Sequence, residues 1–110
     1  MDDHAVEVEV DGEVFRLVPT LQAAQTLSRH FGGFTGMIGV LRKVDIDDQV
    51  AIISAGAGLN VKAASDLWGR LWRSGDYQRT AGPLSDYLGI LINGGKPLEP
   101  SKAGDDSQGN

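Results

Sequence analysis

The stretch Ala5 to Val18, AVEVEVDGEVFRLV, decides the fold. Apolar and polar residues alternate on both sides of Asp11-Gly12, which is the period of a strand with one face buried. The Asp-Gly pair supplies the positive φ angles that a two-residue hairpin turn demands. A β-hairpin is therefore expected here. On its first strand Val6, Val8 and Val10 share one face, and Glu7 and Glu9 the other. On its second strand Val14, Arg16 and Val18 stand opposite Phe15 and Leu17, and the Phe15/Leu17 side is predicted to be buried. Two strands make no stable sheet by themselves, so helices must cover that face.

The rest of the chain supplies them. Pro19-Thr20 ends the second strand, and Thr20 is placed to cap a helix through LQAAQTLSRHF, with Leu21, Ala24, Leu27 and Phe31 as its core stripe. Gly32-Gly33 closes it. FTGMIGVLRKV predicts a short second helix, with Met37, Leu41 and Val44 inward and Arg42 and Lys43 outward. Gly36 and Gly39 each weaken such a helix by up to about 1 kcal/mol relative to alanine, which points to close packing or fraying. Asp45 to Asp48 puts acids at the start of a third helix, where the macrodipole favours them. Ile46, Val50, Ile53 and Ala57 form its stripe.

Asn60 opens a fourth helix, in which Ala64, Leu67, Trp68, Leu71 and Trp72 cover a wide apolar face. Lys62, Asp66, Arg70 and Arg73 are expected to point away, and Ser74-Gly75 ends the helix. Gly82-Pro83 reads as the opening of the last helix, because proline at the first helical position gives up no needed hydrogen bond. Leu84, Tyr87, Leu88 and Leu91 line one side of it, with Gly94-Gly95 as the stop. The predicted class is α+β, an N-terminal β-hairpin followed by four or five short helices in a single small domain over residues 1–95. Residues 96–110 offer almost nothing to bury and are expected to form a disordered tail.

Composition narrows the function. At 110 residues, 41% hydrophobic and 23% charged, the chain has the balance of a soluble globular domain. No apolar stretch approaches the roughly 18–20 residues that span a bilayer. The opening MDDHAVEVEV carries acids where an export signal needs a basic region. A soluble protein without membrane contact is expected. Cysteine is absent, which excludes disulfides, CxxC zinc sites and thiol catalysis. A net charge of −5 argues against a nucleic-acid partner, and WGRLWRSGDYQR is the one local basic stripe.

No motif carries a known chemistry. Neither FGGFTGMIG nor SAGAGLNVK ends in the lysine and hydroxyl that a P-loop needs. Gly56-Ala57-Gly58 follows a helical pattern where the dinucleotide fingerprint needs a strand, and its third glycine is replaced by Val61. His4 and His30 lack companions at metal-ligand spacing. The pairs Asp2-Asp3, Asp47-Asp48 and Asp105-Asp106 fall at a chain end, a helix start and the tail, which suits capping or solvation. Ser28 and Ser54 lie within helices without an evident base. The reading is a non-enzymatic protein without cofactor or metal. Trp68 and Trp72, with Arg70 and Arg73 beside them, remain the most informative pair. They either pack in the core or place an indole at a protein interface, where such large amphipathic rings concentrate; a base-stacking platform for nucleic acid is disfavoured by the acidic balance.

Taken in order, DGEVFRLVPT, the helix ending in HFGG, LRKVDIDDQVAIISAGAG and a late helix after a glycine-rich break resemble the small tail proteins of gene transfer agents and related siphophages. The resemblance covers Val8 to Ala57 closely and the remainder in helix spacing only. That family is described as tail assembly chaperones and as tail tube components. The resemblance implies a cytoplasmic, non-enzymatic factor that binds the tape-measure protein and keeps it soluble while tube subunits polymerise. The apolar helix surfaces then become the contact, with Trp68, Leu71, Trp72, Tyr87 and Leu91 as candidates. Self-association is a second expectation. The alternative is a structural tail tube or connector subunit that stays in the virion. One hairpin is little strand for a tube wall, which favours the chaperone.

Overall fold

The computed structural model describes residues 4–97. Of the tail expected from Lys96 onward, all but Lys96 and Pro97 lies outside the described residues. The order is β1 (Val6–Val10), β2 (Glu13–Leu17), α1 (Leu21–Phe31), α2 (Gly33–Val40), α3 (Ile46–Ala57), α4 (Val61–Ser74) and α5 (Tyr77–Ile92). This is the α+β arrangement read from the sequence, a hairpin followed by five helices.

The hairpin is antiparallel, pairing Val6 with Leu17, Val8 with Phe15 and Val10 with Glu13. Asp11 and Gly12 both take positive φ, 54° and 84°, the conformation of a type I′ turn. Directly opposed residues share a face, so Val8, Val10, Phe15 and Leu17 are buried together while Glu7, Glu9, Val14 and Arg16 lie outside. Helices cover the buried face: α5 lies along β1, α3 along β2, and α4 reaches β1. Just past β2, both backbone groups of Val18 are claimed by helices. Its amide donates to the Gly56 carbonyl at 3.2 Å, and its carbonyl accepts from the Tyr87 hydroxyl at 2.6 Å. Gly56 permits this approach, since a Cβ there would stand 2.9 Å from Leu17 Cβ.

The tip of the hairpin is held from two sides. Arg70 of α4 pairs with Glu13 at 2.9 Å and Asp11 at 3.5 Å, donates to the Val10 carbonyl at 3.4 Å, and lies 5.9 Å from the centre of the Phe15 ring. Arg70 therefore does not point away from the molecule as its spacing predicted. Glu13 sits on the helix-facing side of the strand, and that acid draws the guanidinium inward. The hydrogen bond to Glu13 raises the Arg70 pKa further above its ordinary value. Asp76, at the N-cap of α5, accepts from the Asp11 amide at 2.7 Å, and this bond holds its carboxyl below the usual range.

Helix starts follow the expected caps. Thr20 accepts from Ala23 N at 3.0 Å, Asn60 accepts from Ala63 N at 2.8 Å, and Asp45 with Asp48 forms a reciprocal capping box. Two details differ from the sequence reading. Leu21 is exposed, because Ala23 and Leu27 set the inward face of α1 and Leu21 lies a third of a turn off it. In α2, Met37 is buried, whereas Leu41 and Val44 follow the helix rather than belonging to it. Gly36 answers to close packing, since a Cβ there would overlap the Phe31 carbonyl, while Gly39 has open space.

The largest correction concerns α5, which starts at Tyr77 and carries Pro83 inside it. Gln49, fully buried in α3, fixes that earlier start. Its amide nitrogen donates to the Tyr77 carbonyl at 2.8 Å and the Val44 carbonyl at 3.1 Å, and its oxygen accepts from the Thr80 hydroxyl at 2.5 Å. A buried amide with every strong partner in place locks the first turn of α5, and this outweighs the preference of proline for a helix start.

Candidate partner-binding surface

The face of α4 sets the site. Leu67 and Leu71 point into the core and are fully buried. At 100° per residue, Trp68 and Trp72 fall about a quarter of a turn to one side, in line with Val61, while Arg70 falls on the other flank and binds the hairpin. Trp68 is 42% exposed, Trp72 is 61% exposed, and Val61 is almost free of contact. The core alternative for the two indoles is thereby set aside. Of the five residues expected at a partner surface, Leu71, Tyr87 and Leu91 instead lie in the core, so only the two tryptophans present a surface.

The two indoles differ in fixation. Trp68 donates its Nε1 proton to Asp47 Oδ1 at 2.7 Å, which ties the ring to the first turn of α3. That ring forms one wall of a groove of about 490 Å³, with Val44, Asp45, Ile46, Asp47 and Tyr77 among the other walls. Its lining joins apolar side chains to the two acids Asp45 and Asp47. Trp72 stands one helical turn further along with its ring in solvent.

A second apolar surface was missed by the sequence reading. Leu21 is 75% exposed, and Phe34 and Ile38 of α2 are exposed with it. Leu21, Ala24, Gln25, Ser28, Arg29 and Phe34 line a groove of about 230 Å³. The signal was present in FGGFTGMIG, where Phe34 and Ile38 are four residues apart around the buried Met37, and one short helix cannot bury its whole circumference.

The structure also brings His30, Asp47 and Ser54 to one groove between α1, α3 and α4, of about 410 Å³. Three such residue types invite comparison with a nucleophile, base and acid. The Ser54 hydroxyl is buried without a hydrogen-bond partner, and Asp47 is engaged by Trp68. His30 sets its ring edge-on to Phe31 at 4.8 Å. An activated serine needs a base bonded to it, and in this groove that bond is not formed. Among the described residues no cluster of three or more acidic or histidine side chains is arranged to hold a metal ion, and no helix is long and apolar enough to cross a membrane. No protein-family model matches the chain, and no curated protein or solved structure does so.

Proposed function

We propose that this chain is a non-enzymatic, phage-like tail assembly chaperone that binds the tape-measure protein in the cytoplasm during tail assembly. The observation that carries the reading is the exposed indole pair, Trp68 and Trp72, on one flank of a helix whose two leucines, Leu67 and Leu71, are fully buried. Tryptophan is the side chain most enriched where proteins grip one another, and leaving two of them in solvent on so small a domain fits a surface kept for a partner. The groove beside Trp68 joins apolar side chains to two acids, a chemistry that suits an amphipathic helix. The resemblance of Val8 to Ala57 to small tail proteins supplies the partner class.

The test is a pull-down of tagged protein from cells producing the particles, with mass spectrometry of the captured proteins and of the finished particles. The reading expects a long helical tape-measure protein among the captured proteins and this chain absent from finished particles. Stoichiometric recovery from finished particles would instead make it a structural tail tube or connector subunit.

A further inference from the structure

The two exposed apolar surfaces differ in shape and charge. One is a ridge: Trp72 projects from α4, and Trp68 beside it is bordered by Asp45 and Asp47. The other is a hollow between α1 and α2 with Arg29 at its rim. The hollow of about 230 Å³ adjoins a second one of about 270 Å³, and the two share Leu21, Ala24 and Phe34. An apolar cavity of about 150 Å³ takes a benzene ring, so this hollow has room for an indole. Arg29 makes no ion pair among the described residues. At the rim it is placed to meet a carboxylate and to lie against an incoming indole face.

We propose that copies of this chain associate head to tail, the Trp68–Trp72 ridge of one seated in the Leu21–Phe34 hollow of the next, with Arg29 facing Asp45 and Asp47 across the contact. The occupant is a second copy because the chain carries both halves, complementary in shape and in charge. The indoles stand on α4, which shares no substantial contact with α1 or α2, so they do not reach the hollow of their own copy. Such a contact is heterologous and leaves an unused ridge at one end and an unused hollow at the other, so it builds rings or filaments rather than closed dimers. The inference rests on the same indole face as the proposed function, but its test needs no tail protein. A monomeric result removes the self-association and leaves the chaperone reading standing.

Sedimentation velocity of the purified full chain, from micromolar to millimolar concentration, provides the test. The wild type should gain mass with concentration beyond the 11.7 kDa monomer. Trp72→Glu spoils the ridge and Phe34→Glu spoils the hollow, and each should weaken association by on the order of tenfold or more while circular dichroism stays unchanged. Trp72→Ser and Phe34→Ser replace them if either glutamate unfolds the chain. Mixed together, the two variants should form a dimer and nothing larger, since one intact ridge meets one intact hollow. A wild type that stays monomeric throughout overturns the proposal. So does a mixture that behaves as the separate variants do, or a single variant that associates as well as the wild type.

Discussion

Leu71 and Trp72 are adjacent in sequence and opposite in environment. Leu71 is wholly buried, and its truncation to alanine should cost about 2–5 kcal/mol. Trp72 is mostly in solvent, and Trp72→Ala should change stability by no more than about 0.5 kcal/mol. Urea unfolding of the two variants checks the contrast, and a large loss at Trp72 would place that ring in the core. Tyr87 joins burial to a hydrogen bond. Tyr87→Phe strips the Val18 carbonyl of its donor and should cost about 1–3 kcal/mol at neutral pH. Burial also pushes the Tyr87 phenol well above its ordinary 10.0. Above that pH the unfolded chain releases a proton that the folded chain keeps, so this residue's contribution is complete below pH 10 and is lost as pH rises. Wild-type stability should fall more steeply with alkali than that of Tyr87→Phe, as denaturant midpoints on either side of that pH would register.

At the scale of elements, α5 carries the plainest conflict between local preference and tertiary packing. Proline inside a helix costs about 3 kcal/mol, and here Pro83 leaves the carbonyl one turn back without its amide donor. Pro83→Ala restores that donor but frees the unfolded chain, so a net gain of about 2 kcal/mol is expected, read as a higher thermal midpoint. An unchanged or lower midpoint would mean that the ring's packing outweighs the missing bond. The sequence conceals this start of α5, because the Gln49 clamp joins residues 28 and 31 positions apart. The hairpin was legible for the opposite reason. Its turn chemistry and its alternation lie within fourteen consecutive residues, and both point to the same register. The site was half legible. Five apolar positions on α4 announce a broad face, but periodicity does not say which part of it meets α3 and α5. The second patch stayed hidden because α2 is short enough for Met37 alone to anchor it.

For the whole molecule, the hairpin tip is tied to α4 through Arg70 and to α5 through Asp76, so the flank of α4 that bears the indoles is held on a braced frame. A rigid presenting surface loses little ordering entropy when it binds, and it lets two aromatic anchors act together. The central claim is that these indoles hold a partner, and its most direct measurement is co-purification. Tagged wild type and Trp72→Ala, each co-expressed with the proposed tape-measure partner, are compared for the amount of that partner retained. The account predicts that the wild type retains it and that Trp72→Ala loses most of it while showing the same circular dichroism. Equal retention by both proteins would contradict the claim.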